Sequence, residues 1–300
     1  MRRATLVILS GVIIALVAGS WAAPNSGAAH LPVALPRPVI FYEAEGRGIV
    51  VKTWINGRGP FTFAVDTGAG VTVVSESVAQ QAAIRRNPGR TLVAGLSGSE
   101  ISLKRGAADT IALGWGDNLL PGRISVAIAP ALPPSIDGIL DPSDAYSPLG
   151  FSINLPQRSL SAFDPNLQPL NIQRPPTDGA VVPWVRDGQS KRPFVRLSDG
   201  RLALIDTGSA FGLAVTRRVP SLQNDRRQHV KDIGGGAIRA TRVAPSTVSI
   251  GALVLESVPT DLLEGVEKRA PVILGRDALY PFRLSFDPRA RLIEIVPAAD

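Results

Sequence analysis

Phe61–Gly70 reads FTFAVDTGAG and Arg201–Ala210 reads RLALIDTGSA. Each contains the tripeptide Asp-Thr-Gly, as Asp66-Thr67-Gly68 and as Asp206-Thr207-Gly208. One such tripeptide arises by chance in about one chain in twenty at average residue usage. Two copies with matching flanks point to an internal duplication. Upstream of each lies a turn, Asn56-Gly57 and Asp199-Gly200, preceded by strand-like segments at Ile49–Ile55 and Phe194–Leu197. Strand, tight turn and strand predict a hairpin, because Asn-Gly and Asp-Gly tolerate positive φ. Both Asp-Thr-Gly units therefore fall just past the second strand of a hairpin.

The correspondence continues downstream. Glycine-rich GLSG at Gly95–Gly98 is answered by GGG at Gly234–Gly236, and IALG at 111–114 by VSIG at 248–251. The apolar pair Ile139-Leu140 is answered by Ile273-Leu274, and FSINLPQRSLSAF at 151–163 by FRLSFDPRARLIEI at 282–295. From the Asp-Thr-Gly units onward, spacing between matched features drifts only from 140 to 131 residues, so loop lengths differ little. The pattern predicts an all-β chain of two similar β-rich lobes, residues 39–165 and 178–300. A proline-rich linker, 166–177, joins them within the stretch DPNLQPLNIQRPPTD. Glycine (29) and proline (26) against 5% aromatic residues agree with short strands and turns rather than long helices.

Composition narrows the chemistry. The chain has no cysteine, which removes disulfides, thiol nucleophiles, zinc ribbons and iron–sulfur clusters. Its two histidines, His30 and His229, offer little for a His-rich metal site or a Ser-His-Asp triad. Carboxylates remain. If two lobes pack about a pseudo-two-fold axis, Asp66 and Asp206 meet near it. Two carboxylates that close share a proton and split their apparent pKa values. One then acts as general base on a water and the other, protonated, as acid. Neither cofactor nor metal is required, and none is expected.

FAVDTGAG and LIDTGSA resemble the active-site loops of aspartic proteases, and Ile273-Leu274-Gly275 resembles the apolar-apolar-Gly motif of that family. Short lobes and glycine-rich flaps without cysteine look more like the retropepsin type, duplicated in one chain, than the larger pepsin type. The resemblance implies a two-lobe all-β fold, each lobe a β-barrel, with the active site in the cleft between lobes. It implies that Asp66 and Asp206 hold the nucleophilic water and that Thr67 and Thr207 hydrogen-bond across the interface. Gly68 and Gly208 would leave room beside the carboxylates. Ser209 would donate to its aspartate, as Ala69 cannot. Flaps around Leu92–Lys104 and Lys231–Arg242 would cover an extended peptide, with Gly95, Leu96, Ser97, Gly98, Gly234, Gly235 and Gly236 at the cleft. The implied activity is aspartic endopeptidase on peptide or protein substrates. A catalytically inactive peptide-binding module of the same fold is the alternative.

Two departures from the family pattern stand out. The first half has Asp141 where glycine follows the apolar pair, and neither flap contains a tyrosine. Other motifs carry less. Gly234–Gly236 lacks the Gly-Lys-Ser/Thr of a phosphate loop, and Gly68-Ala69-Gly70 lacks the third glycine of a dinucleotide fingerprint. Trp54, Trp115 and Trp184 read as packing residues.

At the N-terminus, Arg2 and Arg3 precede an apolar run from Leu6 to Ala18, with Ser20 and Ala22 beyond it. Residues 1–22 read as a cleavable signal peptide, with an uncleaved anchor as the competing reading. Residues 23–38 read as an extended tether. The expectation is an exported, periplasmic or secreted protein with no stable membrane span after signal removal. The formal charge of +7 raises nucleic acid as a partner, but basic residues are scattered and stacking aromatics scarce, so none is expected. Two lobes in one chain complete the site alone, so a monomer is expected.

Overall fold

The computed structural model describes residues 34–44, 48–133, 135–186, 191–216, 227–231, 236–267 and 270–298. The expected signal peptide, the start of the tether, and Gly234 and Gly235 lie outside the described residues. Among the described residues no helix is long and apolar enough to cross a membrane.

The first half opens with β1 (Val39–Ile40), β2 (Tyr42–Ala44), β3 (Gly48–Ile55), β4 (Arg58–Val65) and β5 (Thr72–Ser75). Next come α1 (Glu76–Gln81), β6 (Arg85–Ala94), β7 (Glu100–Ala108), β8 (Ile111–Leu113) and β9 (Ile124–Ala129). It closes with β10 (Gly138–Leu140), α2 (Pro142–Ala145), β11 (Gly150–Asn154) and β12 (Ser159–Phe163). The second half begins with β13 (Ala180–Pro183), β14 (Phe194–Arg196), β15 (Leu202–Asp206), β16 (Leu213–Val215) and β17 (Arg227–Lys231). After these come β18 (Ala237–Ile250), β19 (Leu253–Glu264), β20 (Val272–Gly275), α3 (Arg276–Leu279), β21 (Phe282–Asp287) and β22 (Leu292–Pro297).

The duplication is written into the strand order. The first-half sheet contains the path β3-β4-β10-β5-β9-β7-β6, and the second-half sheet runs β14-β15-β20-β16-β19-β18-β17. Orientation repeats pair by pair. β4 and β10 are parallel, as are β15 and β20. β5 and β9 are parallel, as are β16 and β19. The chain is all-β, and the three helices among the described residues are only four to six residues long.

Hairpin chemistry explains the entry into each path. Asn56 and Gly57 both take positive φ, 49° and 72°, which the two-residue turn between β3 and β4 requires. In the second half only Gly200 of the turn is left-handed, at 85°, and the Asp199 carboxylate accepts from the Arg201 N–H at 3.0 Å. The matched tetrapeptides at 111–114 and 248–251 do part ways. The first forms the separate strand β8 on β3, whereas the second is the tail of the 14-residue β18.

A third sheet joins the halves. Its order is β1-β12-β11-β21-β22-β13, three strands from each half. At its centre β11 and β21 run antiparallel, pairing Ser152 with Ser285 and Asn154 with Arg283. Since Phe151 corresponds to Phe282 in the duplication, these pairs exchange under a two-fold rotation between Ile153 and Leu284. Phe151 and Phe286 are fully buried and stacked with ring centroids 4.7 Å apart, with Trp184 edge-on to Phe286 at 6.0 Å. The principal apolar core contains residues of both halves.

Within the expected tether, residues 34–38 are held against the first half. The Arg37 N–H donates to Asn118 Oδ1 at 2.7 Å, and Asn118 returns a bond to the Arg37 carbonyl at 3.1 Å. The Arg37 guanidinium lies 5.1 Å above Trp115, whose ring is half exposed rather than packed in the core.

Candidate active site

Each Asp-Thr-Gly unit sits where a strand leaves its sheet. Asp66 follows β4, and its N–H donates to the Leu140 carbonyl of β10 at 3.0 Å. Asp206 ends β15 in register with Gly275 of β20. The parallel neighbour strand thus holds each aspartate at equivalent depth.

The threonines join the two loops. Thr67 Oγ1 donates to the Ile205 carbonyl at 2.7 Å and accepts from the Thr207 N–H at 3.0 Å. Thr207 Oγ1 donates to the Val65 carbonyl at 3.2 Å and accepts from the Thr67 N–H at 3.2 Å. Both side chains are fully buried, so these four bonds satisfy groups that water cannot reach. Buried hydroxyls left unpaired would cost about 1–3 kcal/mol each, which makes the grip strongly directional.

This grip brings each glycine against the opposite carboxylate. A Cβ on Gly68 would stand 3.0 Å from both Asp206 carboxylate oxygens, and one on Gly208 would stand 2.6 Å from both oxygens of Asp66. No residue with a side chain fits at either position without displacing an aspartate. The two carboxyl groups lie within hydrogen-bonding reach of one another. Backbone donors orient them: the Gly68 N–H reaches Asp66 Oδ1 at 2.7 Å, and the Ser209 N–H reaches Asp206 Oδ1 at 3.0 Å. The Ser209 contribution is therefore its backbone; its hydroxyl accepts from the Phe211 N–H at 3.2 Å. Ala69 faces no such role, its N–H pointing to the Asp66 carbonyl at 3.4 Å.

Electrostatics separate the pair. Loss of water around Asp66, then the charge of Asp206, hold its carboxyl well above the usual carboxylate range, and Asp141 pushes the same way. Burial also raises Asp206, but the bond from Asp66, the N–H groups of Ser209 and Gly208, and the Arg276 charge all pull it back.

Asp141 and Arg276 lie behind the two loops. Asp141 takes the place that Gly275 holds in the second half. It is 1% exposed; one oxygen caps α2 by accepting from the Ser143 N–H at 2.9 Å, and Oδ2 is buried without a hydrogen-bond partner. Burial, with Asp144 nearby, pushes it up to about 7 against the opposing pull of the Ser143 N–H, the Ser143 side chain and Lys191. Gly275 cannot be exchanged for Asp so easily. A Cβ there would stand 2.9 Å from the Ser209 carbonyl oxygen and press on that of Phe211. Arg276, the residue after it, donates from Nη1 to the Thr207 carbonyl at 2.6 Å. Sequence reading marked Asp141 as a departure but passed over Arg276; its signal was a cation directly after the apolar-apolar-Gly motif.

Two hairpins fall at the stretches read as flaps. β6 and β7 pair from Arg85 to Ala107, with Gly95–Ser99 at the tip, where the Gly95 N–H donates to the Ser99 carbonyl at 2.9 Å. β17 and β18 form the second. Gly236, just before β18, lies against the tip of the first hairpin, since a Cβ there would run into Ser97 and Ser99. Leu96 packs on an apolar cluster of the second half containing Ala214, Ile238, Leu263 and Ile273, with Phe211 at its edge. Its carbonyl accepts from the Glu267 N–H at 3.1 Å, and Gly98 lies against Glu267.

Among the described residues no cluster of His, Cys, Asp and Glu is arranged to hold a metal ion. Residues 51–140 match a family model described as aspartyl protease, a segment that runs from β3 through Asp66 and the first hairpin to Leu140. No curated protein matches the chain. The family match supports assignment to the aspartic protease family.

Proposed function

With the aspartic protease family as premise, we propose that the chain is an endopeptidase that hydrolyses peptide bonds with a water activated between Asp66 and Asp206. The observation that supports this reading most is the reciprocal Thr67–Thr207 grip, with each glycine against the opposite carboxylate. It supplies one ionised and one protonated carboxyl at a fixed separation, which is what acid–base hydrolysis without metal or thiol needs.

In this mechanism the ionised carboxylate accepts a proton from water as the water oxygen bonds to the peptide carbonyl carbon. The protonated carboxyl gives its proton to the carbonyl oxygen. The resulting neutral gem-diol collapses when one carboxyl protonates the amide nitrogen and the other takes a hydroxyl proton, so the C–N bond breaks and the pair regains its single proton. The extended substrate lies beneath the hairpins that carry Gly95, Leu96, Ser97, Gly98 and Gly236, bonded through its backbone in the manner of an added strand. Export after loss of residues 1–22, and a monomeric state, belong to the same proposal.

The test is cleavage of a mixed peptide library from acidic to neutral pH by the wild type, Asp66→Asn and Asp206→Asn. Cleavage lost in both variants supports the shared water. Cleavage that persists in both removes these residues from the mechanism. A folded wild type that binds peptides without cutting them shifts the assignment to a binding module.

A further inference from the structure

The two carboxylates are supported by unlike surroundings. On the second side, the Arg276 guanidinium bonds the Thr207 carbonyl at 2.6 Å, one residue beyond Asp206, and lies beside Gly48, where a Cβ would be 2.8 Å from Nη1. Its own backbone N–H donates to the Ser209 carbonyl at 2.9 Å, so the cation is tied to the loop at two points. The charged groups facing it are Glu43, Asp206, Asp277 and Asp66. Asp206 also receives the N–H of Ser209 at 3.0 Å and that of Gly208.

On the first side the same loop position carries the reverse. Pro142 follows Asp141 where Arg276 follows Gly275, so the position that Arg276 fills carries no charge in the first half, and the aliphatic stem of Arg192 lies against Gly70 of the Asp66 loop instead. A buried acid stands there, with one oxygen on the α2 N-terminus and the other unpartnered. Its backbone N–H is held by Thr72 Oγ1 at 3.1 Å. The charged groups facing Asp141 are Asp144 and Lys191, which pair with one another, and its field reaches Asp66. Asp66 itself receives the Gly68 N–H at 2.7 Å.

We propose that Asp141 and Arg276 are opposed positioning residues that polarise the pair, so that the shared proton resides on Asp66 and the charge on Asp206. Resting on the protease reading above, this assigns Asp206 as the base that takes the proton from water and Asp66 as the acid toward the substrate carbonyl. Arg276 stays cationic at any pH where a carboxyl pair works, so its effect is constant. Asp141 is neutral below about pH 7, so there the polarisation rests on Arg276, and above it Asp141 gains charge and opposes the last ionisation of the pair.

The test separates this inference from the protease reading, because its first part needs no turnover. In proteins carrying ¹³C-labelled aspartate carboxyls, the lone carboxyl left by each substitution is titrated by NMR. Asp206 in Asp66→Asn is expected to titrate at least about tenfold more acidic than Asp66 in Asp206→Asn. Adding Arg276→Gln raises the Asp206 midpoint, and Arg276→Lys, which keeps charge and folding, restores most of it. Equal midpoints, the reverse order, or an Asp206 midpoint indifferent to Arg276→Gln would overturn the proposal even if peptides are cleaved. The expected order in a protein that cleaves nothing leaves the polarisation standing and removes the protease.

The second part reads turnover. Asp141→Asn moves the alkaline limb of kcat/KM to lower pH and leaves the acid limb in place, whereas Arg276→Gln moves the acid limb to higher pH. A residue that merely holds the fold would lower the rate without displacing either limb, and unmoved limbs in both variants overturn the proposal.

Discussion

The two Asp-Thr-Gly loops share a backbone and differ in what stands behind it. In both, a parallel strand fixes the aspartate, a threonine crosses to the other loop, and a glycine touches the opposite carboxylate. Behind the first is a buried acid; behind the second are a bare glycine and a cation. The contrast separates two kinds of constraint. Positions that contact the partner loop are held to one residue type by geometry, since any larger residue displaces a carboxylate. Positions one layer back do not press on the opposite carboxylate, so the copies diverge there, and with them the electrostatics of two groups that look equivalent in sequence.

The most severe way to break this comparison is to remove either carboxylate. Asp66→Asn and Asp206→Asn should each lower peptide cleavage by at least about 100-fold to 10,000-fold, the scale of acid–base catalysis. Steady-state kinetics on one sensitive peptide checks it, and a large difference between the two would show unequal dependence on the halves.

Exchanging the residues behind the loops should be asymmetric. Gly275→Asp forces side-chain atoms into the carbonyls of Ser209 and Phe211 and should destabilise by about 3 kcal/mol or more, combining overpacking with a buried charge. Asp141→Gly weakens a cap by about a few tenths of a kcal/mol and also removes an unpartnered buried oxygen, so its net cost should be smaller. Urea midpoints of the two variants decide it.

The pH dependence of stability sharpens the same point. Asp141 titrates near 7 in the folded protein and near 4 when unfolded, so between those values the folded state binds more protons. Its contribution is fully present below about pH 4 and is lost as pH rises toward 7. Asp141→Asn should therefore flatten the fall in stability over that window, by a few kcal/mol on the order of what a shift of this size allows. Urea titrations at pH 4 and pH 7 measure the difference, and parallel losses in both proteins would contradict it.

The smallest expected effect copies one half into the other. Ala69→Ser gives the first loop the residue that the second has at Ser209, on a half-buried site. It should change stability by less than about 0.5 kcal/mol and leave the acid limb of activity where it is.

Much of the architecture was legible because duplication makes a sequence its own comparison. The hairpin before each aspartate, the flap hairpins and the repeated apolar pairs are local patterns, and each half repeats them. The shared sheet was not legible. The ends at 151–163 and 282–295 read as hairpins, which they are, but nothing local says that Phe151 pairs with Phe286 rather than within its own half. Strand partners so far apart in sequence are chosen by which apolar faces remain uncovered after each half has folded. Arg276 escaped notice for a related reason. An arginine beside a turn is ordinary, and its meaning comes from the Thr207 carbonyl that tertiary structure brings to it. Residues 34–38 read as tether because Pro and Ala dominate the stretch; the bonds to Asn118 that hold it come from a distant turn.

The sheet that joins the halves also says what the stretch 166–177 does not do. Neither β1 nor β13, at the two outer edges, connects across it; the pairing between halves is β11 on β21, backed by the stacked rings of Phe151 and Phe286. The covalent connection serves chiefly as an effective concentration, keeping two complementary fragments near each other while the interface between them supplies the affinity. A chain severed within that stretch should behave as a heterodimer of its own two pieces, held by non-covalent contacts and dissociating only on dilution or unfolding.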